Sequence, residues 1–564
     1  MTKVKSQRTR AQESRAAIQR LYIAMRHLFL RGSYKPLGVS GEAMIKSLLL
    51  LKPEIYGSIA DPEKVELSGL LYIFQRLPQG IEECRYINLI AREGFEQSEF
   101  TPLIPSKRRR NCYRIDNEQM YIEMTRGRSD IYDVLTHLTF LFVESEKIRR
   151  NSFDYKNRPK REWLMLEKIV QRINNGENFK KEIGYSYLST ILGRTFEETA
   201  ALAQEFEEAD KVNNLFKITY WLCKRSTEEH VEGIDREISF SSSLRENVGN
   251  HIHGEMWADK IKQTLLENNL NKRPLHIISA NLHSVMNILY SKRALGKKQG
   301  GKSLESIAQK LSISSNTNLR EKVRQYALAN GMIFIPDASG TNISTQIFDL
   351  EKIQAKGIPS EINWDKKAVD KNRPVLLVID YPFGEQAYEI IDELLKPYGV
   401  KEQKFHLNVA SINIMGKAGI LKGGKGDIMI PNAHVFEGTA DNYPFTNELC
   451  AKDFKDFGLD VYEGPMISVL GTSLQNKDIL RYFSKSSWKA IGLEMEGAHY
   501  QKAIQAASQI RNSISKDVDL RYAYYASDNP LETGSTLASG GLGLDGVKPT
   551  YLITSKILSG ILNS

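Results

Sequence analysis

The sequence has few cysteines and no long apolar run. Its four cysteines, Cys84, Cys112, Cys223 and Cys450, are scattered, and none belongs to a C-x-x-C pair. We therefore expect neither a disulfide framework nor a cysteine-based zinc site, and a reducing, cytoplasmic setting fits best. No stretch of about 18 apolar residues could span a membrane. The N-terminus leads into charged residues rather than the apolar core of a signal peptide.

Metal and nucleic-acid signatures are also missing. The pairs His251/His253 and His276/His283 lack the spacing of a zinc helix, and no H-E-x-x-H completes a site, so no metal or other cofactor is expected. The densest basic run, residues 106–110, could contact phosphate or nucleic acid, or could form a solvated loop or intersubunit ion pairs. Because no RNA-binding or helix-turn-helix pattern accompanies it, nucleic acid is not an expected partner.

The chain does contain enough apolar material for a large globular protein. Hydrophobic residues make up 41% and charged residues 26% of 564 residues, which is too long for one ordinary domain. The net charge is +12 over residues 1–372 and −3 over residues 373–564. The basic surplus therefore belongs to the N-terminal part.

Apolar periodicity divides the chain into a mostly α-helical N-terminal region and an α/β C-terminal domain. Helical spacing from Thr9 to Leu30, with Gly32 as the C-terminal cap, opens a series of helices through residues 1–335, which could form two subdomains. We interpret this region as regulatory or as a site of homo-oligomer formation. Residues 336–372 are expected to be a linker or an ordered arm, and residues 373–564 a catalytic domain.

The C-terminal part begins as an α/β unit. A continuous apolar run at residues 374–380 predicts a buried central strand, and an amphipathic helix follows it. A second apolar run, residues 407–415, ends on Gly416-Lys417-Ala418-Gly419, where small residues let the backbone approach a ligand. Since ligands bind at strand carboxyl ends in such folds, we expect a pocket there.

Two later motifs follow at the spacing of further strand ends. E-M-E occupies residues 494–496 and S-D-x-P occupies residues 527–530, after G-D-x-x-x-P and E-G-T pieces. With G-K-x-G at 416–419, this ordered set resembles the nucleoside phosphorylase and nucleosidase superfamily, and most closely its AMP nucleosidases, from about residue 374 onward. The resemblance implies a three-layer α/β/α catalytic domain and a purine nucleotide or nucleoside as substrate.

The resemblance also implies roles for individual residues. Asp528, preceded by Ser527, matches the acid that addresses the purine N7, and this role requires a raised pKa. Glu496 matches the carboxylate that binds the ribose hydroxyls, with Met495 against the sugar face and Glu494 as a neighbouring contact.

The glycine-rich strand end and the first strand supply the remaining candidates. Gly416 and Gly419 flank Lys417, a compact cation suited to a phosphate carried by the substrate. Glu385 aligns with the glutamate that activates water in the nucleosidases. Ile414 stands where many phosphorylases of the superfamily have an arginine for inorganic phosphate.

These features together predict a nucleotide N-ribosidase that hydrolyses AMP to adenine and ribose 5-phosphate. One alternative is a purine nucleoside phosphorylase, which the apolar Ile414 disfavours. Another is a catalytically silent nucleotide sensor with a partner-binding N-terminal region, which the retained Glu496, Asp528 and Glu385 disfavour. The Gly- and Ser-rich segment 534–543 is expected to be a lid over the base.

Overall fold

The computed structural model describes residues 9–209, 214–299, 303–399, 404–439, 441–455, 457–532 and 542–563. Most of the expected lid lies outside these residues. The chain divides into two compact units. Unit 1 comprises Met1–Asn250 with Ser473–Ile479, and unit 2 comprises His251–Thr472 with Leu480–Ser564.

Unit 1 is mainly helical and contains a small mixed sheet. Its helices are α1 (Arg10–Arg31), α2 (Val39–Leu51), α3 (Leu67–Phe74), α4 (Gly127–Ser152), α5 (Arg161–Asn174), α6 (Lys181–Leu192), α7 (Phe196–Ala209), α8 (Leu215–Thr227) and α9 (Ser242–Asn250). Its strands are β1 (Ser33–Tyr34), β2 (Tyr86–Ile90), β3 (Cys112–Arg114), β4 (Gln119–Glu123) and β5 (Glu237–Phe240). They pair in the order β1-β5-β2-β4-β3.

The ends of α1 follow from local sequence. The Thr9 hydroxyl accepts a hydrogen bond from the backbone N–H of Gln12 at 3.3 Å, and the Gln12 side chain accepts one from the N–H of Thr9 at 2.9 Å. Gly32 ends the helix at φ 88°, a left-handed conformation that glycine adopts without strain. The predicted helix and its cap are therefore present.

The basic run at residues 106–110 forms ion pairs inside unit 1. Arg110 Nη2 lies 2.8 Å from Asp130 Oδ1 and 2.6 Å from Asp133 Oδ2 on α4. Arg108 Nε lies 2.8 Å from the same Asp133 oxygen. Because burying an unpaired guanidinium is costly, these carboxylates are what allow the two arginines to lie inside the protein. At these two positions the run is neither a solvated loop nor an open phosphate surface, and its ion pairs lie within the chain rather than between subunits.

Unit 2 is an α/β unit. Its helices are α10 (Ile252–Glu267), α11 (Ser284–Gln299), α12 (Leu304–Ser312), α13 (Thr317–Ala329), α14 (Lys366–Asn372), α15 (Gln386–Leu394), α16 (Lys477–Lys485, whose first turn belongs to unit 1), α17 (Gly497–Gln505) and α18 (Val547–Leu562). Its strands are β6 (Leu275–Ser279), β7 (Met332–Ile335), β8 (Thr345–Asp349), β9 (Val375–Ile379), β10 (Val409–Ile420), β11 (Ile428–Phe436), β12 (Asn442–Pro444), β13 (Val461–Ser468), β14 (Gly492–Glu494) and β15 (Asp519–Asp528).

Within the described residues these ten strands form one sheet. The order is β12-β11-β13-β14-β10-β6-β9-β8-β7, and β15 pairs with β10 and β11. Alternate residues of β9 belong to two hydrophobic clusters: Leu376 and Val378 pack with α11 and α18, whereas Leu377 packs with α10, α15 and α17. Helices therefore cover both faces of this strand, which explains its continuous apolar run.

The boundary expected near residue 370 is corrected by this topology. Strand β6 lies between β10 and β9 and pairs in parallel with both, so residues 275–279 are central to the sheet of unit 2. The segment 336–372, expected to be a linker or an ordered arm, supplies β8, which pairs with β9 in antiparallel fashion. Unit 2 therefore begins at residue 251.

Strand β10 is longer than the strands that pair with it, and a gap is left along one edge of β10. Residues 411–419 pair with β15 on the first edge. On the second edge, β6 pairs with residues 409–414 and β14 with Gly419 and Ile420. Residues 415–418 have no described strand beside them there, and this gap is where a ligand can reach the backbone.

No helix in the described part of the chain is both long and apolar enough to cross a membrane.

Replacing Ile277 of β6 with alanine should destabilise unit 2. Ile277 is 0% exposed and packs with α10, α15 and α17. An Ile→Ala change in a core costs about 2–5 kcal/mol, so calorimetry should show unit 2 unfolding at a lower temperature. Ile510→Ala, at a residue of unit 2 that is 78% exposed, is the control. Equal unfolding temperatures for the two variants would contradict a central position for β6.

Candidate active site

A cavity of about 890 Å³ lies at the gap beside β10. Strands β6, β9, β10, β14 and β15 all contribute residues at or just beyond their ends, and the helices α12, α13 and α18 contribute further lining residues. The lining includes Asn281, His283, Asn287, Arg320, Asp380, Tyr381, Met415 to Gly419, Leu493 to Glu496, Tyr525, Ser527 and Tyr551. The three predicted motifs therefore meet at one cavity.

Gly416 and Gly419 shape the cavity in different ways. A Cβ atom on Gly416 would lie 2.5 Å from Tyr381 Oη and 2.9 Å from the ring of Tyr524, so Gly416 leaves room for two tyrosines. Gly419 pairs with Leu493 on one edge and with Asp528 on the other. The small residues at this strand end therefore bring the neighbouring strand ends close together.

Glu496 lies just beyond β14 and is held by two backbone amides. Its Oε1 accepts from the N–H of Gly384 at 2.9 Å and its Oε2 from that of Met495 at 3.2 Å. The side chain is buried, and burial followed by the nearby charge of Glu494 raises the pKa of Glu496. A carboxylate has about four acceptor positions, so two remain for hydroxyl groups of a ligand. Met495, half-buried, lines the cavity beside it.

Glu494 faces the start of α17 instead. Its Oε1 accepts from the Ser468 hydroxyl at 2.5 Å, and its Oε2 accepts from the backbone amides of Glu496 and Gly497. Burial raises the pKa of Glu494, and these hydrogen bonds oppose the rise. A carboxylate at a helix N-terminus interacts favourably with the helix dipole. Glu494 thus fixes the turn that carries Glu496.

Asp528 ends β15 and is fully buried. The Ser527 hydroxyl donates to its Oδ1 at 2.5 Å, while Oδ2 has no hydrogen-bond partner among the described residues. Burial raises the pKa of Asp528, and the Ser527 hydrogen bond and the charges of Lys417 and Lys425 oppose this shift. Ser527 lines the cavity, whereas Asp528 is not among the residues that line it.

Lys417 is exposed on β10 opposite Tyr525 of β15. Tyr525 precedes Asp528 by three residues on β15, and the charge of Lys417 opposes the rise in the pKa of Asp528. A contact from Lys417 to a substrate phosphate stays a prediction.

Glu385 stands at the start of α15, half-buried, and is not among the residues that line the cavity. It follows Gly384 directly, and Gly384 binds Glu496. The role of Glu385 in activating water stays a prediction, and it requires the side chain to reach the cavity when substrate binds.

The cavity residues that had not been predicted include Tyr381, His283 and Arg320. The apolar run of β6 ends just before Asn281 and could have indicated a strand end there, as residues 374–380 did for β9. Arg320 has no such local signal because it reaches the cavity from α13. Tyr381 Oη is buried without a partner among the described residues, and burial raises its pKa well above 10, so it is a neutral donor.

Two of the histidines considered as metal ligands, His276 and His253, have other partners. Nδ1 of His276 lies 2.8 Å from the Ser411 hydroxyl, and burial lowers the pKa of His276 to about 4. His253 donates to the carbonyl oxygen of Ser339 at 2.7 Å. Nowhere in the described ranges do three His, Cys, Asp or Glu side chains converge as metal ligands.

Several solved structures are similar to about half of this chain. 5′-Methylthioadenosine/S-adenosyl homocysteine nucleosidase from Campylobacter jejuni is 12% identical over 52% of this chain and 100% of its own, with a TM-score of 0.30. Futalosine hydrolase from Helicobacter pylori is 12% identical over 51% and 98%, with a TM-score of 0.29. The P. knowlesi homologue of P. falciparum PNP is 12% identical over 52% and 90%, with a TM-score of 0.29. Scores of this size do not assign an activity to this chain.

No curated protein matches the sequence significantly. One family profile, in contrast, matches residues 42–299 and 308–563. The match spans most of both units and includes every predicted site residue. The chain therefore belongs to DUF6909, a family of unknown function.

Proposed function

We propose that unit 2 is a three-layer α/β/α nucleosidase domain that hydrolyses the N-glycosidic bond of a purine nucleotide, releasing adenine and ribose 5-phosphate from AMP. One observation carries the proposal: Leu493 and Asp528 flank Gly419 on its two edges, and Glu496 follows Leu493 by three residues. Two strand spacings separate these flanking positions by about 10 Å. Two buried carboxyls thus stand on either side of one ligand-accessible strand end.

Asp528 is the proposed acid that protonates the departing base. Breaking an N-glycosidic bond leaves positive charge on the sugar, by analogy with glycoside hydrolysis, and protonation neutralises the charge that builds up on the base. A carboxyl whose pKa is raised by burial keeps its proton closer to neutral pH than an exposed aspartic acid does. Ser527, on the cavity side, is proposed to contact the base.

Glu496 is the proposed anchor for the ribose hydroxyls. Its two amide hydrogen bonds hold the carboxylate in one orientation, and its unused acceptor positions suit two cis hydroxyls. Met495 is proposed to pack against the sugar face. Fixing the sugar in this way lowers the entropy cost of reaching the transition state.

Water is the proposed nucleophile, and Glu385 the group that activates it. Ile414 is fully buried in β10 and pairs with Ser279 of β6. It occupies the place where many phosphorylases of the superfamily that the sequence resembles carry an arginine for inorganic phosphate. An apolar, buried side chain there supports hydrolysis over phosphorolysis.

We also propose that the protein works as a cytoplasmic homo-oligomer in which unit 1 regulates or assembles the enzyme. Cys84, Cys112 and Cys223 are buried free thiols, and burial raises the pKa of each, that of Cys84 and of Cys223 to about 12. Thiols with such pKa values stay protonated and unreactive, as suits a reducing compartment.

Base release from AMP should proceed without inorganic phosphate and yield ribose 5-phosphate. The measurement is chromatography of base and sugar products from a panel of purine nucleotides and nucleosides, with and without phosphate. Product that forms only with phosphate, as ribose 1,5-bisphosphate, would identify a phosphorylase. Binding of AMP without any base release would identify a nucleotide sensor.

Asp528→Asn should lower kcat for AMP by about 10²–10⁴-fold, because general acid catalysis typically contributes that factor. Asparagine keeps the shape and can still hydrogen-bond to the base, so binding should weaken little. A substrate whose base leaves without protonation should be cleaved at a rate close to that of the unaltered protein. If the variant retained near-normal kcat on AMP, the acid would have to be another residue.

The pH dependence of kcat/KM should also report the ionisation of Asp528. Burial raises the pKa of Asp528, and the acid acts only while protonated, so kcat/KM should fall as pH rises through that raised pKa. The pH profile of Asp528→Asn should lack this alkaline decline. An unchanged decline in the variant would assign it to a different ionisation.

A further inference from the structure

The cavity wall farthest from β15 consists of residues that the proposed chemistry does not use. Strand β15 takes one edge of β10, whereas β6 and then β9 lie beyond the other. Asn281 and His283 follow β6, Asp380 follows β9, and Arg320 comes from α13. Two to three strand spacings separate this wall from Asp528 by about 10–14 Å.

Arg320 is held in a fixed orientation by the connection between α12 and α13. Its Nη1 donates to the carbonyl oxygens of Leu311 at 3.1 Å and Ile313 at 2.6 Å, and its Nη2 donates to that of Ser314 at 2.9 Å. These bonds use three of the five guanidinium N–H donors. Nε–H and one Nη2 N–H remain, and two such donors on one edge match two oxygens of an oxyanion.

The charge of Arg320 is not cancelled by an ion pair. Its partners are backbone carbonyls, and no carboxylate among the described residues lies within ion-pair distance of it. Arg324, one turn later on α13, instead lies 3.5 Å from Glu321. Arg320 therefore presents an oriented positive charge to the cavity.

The start of α11 strengthens the positive character of this wall. Asn281 Oδ1 accepts from the backbone amides of His283 at 3.2 Å and Ser284 at 2.8 Å, which fixes the first turn. A helix N-terminus favours an anion. His283 lies in the field of both Arg320 and Asp380: burial lowers its pKa, Asp380 opposes this, and Arg320 reinforces it. Asp380, the acidic residue here, accepts from the amide of Tyr381 at 3.0 Å.

A buried amide in the same wall has an unused end. Asn287 is 3% exposed and lines the cavity, and its Nδ2 donates to Tyr551 Oη at 2.7 Å. Its Oδ1 has no partner among the described residues. If the side-chain amide of Asn287 is rotated by 180°, its Oδ1 accepts a hydrogen bond from the Tyr551 hydroxyl. Its NH₂ group is then the donor without a partner. Since buried polar groups are normally paired, this end of the cavity is suited to a polar ligand group.

We propose that Arg320, His283 and the first turn of α11 form the subsite for the 5′-phosphate of the substrate. The identity of the ligand rests on the proposed function, whereas the anion site itself rests on the geometry of this wall. Lys417, to which the sequence assigned the phosphate, lies near Asp528 instead, where the departing base is expected.

The kinetic test compares AMP with adenosine in the full-length protein. Arg320→Gln should raise KM for AMP about 10–100-fold more than KM for adenosine, the factor that a charge-assisted hydrogen bond supplies. Arg320→Lys keeps the charge without the paired donors and should give a smaller effect in the same direction. Arg324→Gln is the matched control on the same helix and should change neither KM.

A binding measurement separates this subsite from the catalytic proposal. In calorimetric titrations, ribose 5-phosphate should bind the unaltered protein and the Arg324→Gln variant with similar affinity. It should bind the Arg320→Gln variant at least about tenfold more weakly. That result supports the subsite even if AMP releases no base, in which case the proposed hydrolysis alone fails. Should Arg320→Gln not fold, Arg320→Lys and His283→Gln are compared in the same titrations. Both are expected to bind ribose 5-phosphate more weakly than the Arg324→Gln variant does.

Two results would overturn the subsite. If Lys417→Gln, and not Arg320→Gln, removed the preference for AMP over adenosine, the phosphate would lie at the glycine-rich strand end. If the Arg320 variants weakened AMP and adenosine equally, Arg320 would only support the connection between α12 and α13.

Discussion

A β-strand has two edges, and in unit 2 three strands share those of β10. Strand β15 pairs with one edge as far as Gly419, while β6 and β14 pair with parts of the other edge. Among the described residues no strand lies beside residues 415–418 on that second edge. The gap brings the ends of several strands to one place, so side chains far apart in sequence line one cavity. It also explains Gly416, where any side chain would collide with Tyr381 and Tyr524.

Burial at this gap shifts the pKa values of three carboxyl groups in the same direction. The groups that donate hydrogen bonds to these carboxyls differ. Burial raises the pKa of Glu494, Glu496 and Asp528 alike. Glu496 is held by amide N–H groups, which can only donate and so favour its ionised form. Asp528 is held by the Ser527 hydroxyl, which can donate or accept, so that it can pair with either protonation state. Asp528 is therefore the carboxyl better suited to exchanging a proton, and Glu496 the one better suited to holding hydroxyls.

Local patterns predicted much of this unit because they report on local structure. The apolar runs predicted the strands β9 and β10, and the motifs at residues 494–496 and 527–530 lie at strand ends, as expected. The motif at residues 416–419 differs, because β10 continues through it and ends at Ile420. The boundary at residue 370 failed because β6 is five residues long within a helical stretch, and its partners β9 and β10 follow it by about 100 residues or more. Arg320 was missed for the same reason, whereas Tyr381 directly follows the predicted strand β9. The place of Arg320 at the cavity depends on packing between distant segments, which periodicity does not report.

The proposed chemistry and the proposed subsite for the 5′-phosphate thus fall on separate parts of unit 2. The carboxyls sit on strand ends whose positions are fixed by the sheet. Arg320 sits on a helical segment, residues 303–329, that reaches the same cavity through α12 and α13. Within this segment, Arg320 of α13 donates hydrogen bonds to the backbone carbonyls of Leu311, Ile313 and Ser314. A change in the connection between α12 and α13 would therefore alter the group recognised at the 5′ end without moving Glu496 or Asp528, because neither carboxyl depends on that connection for a hydrogen bond.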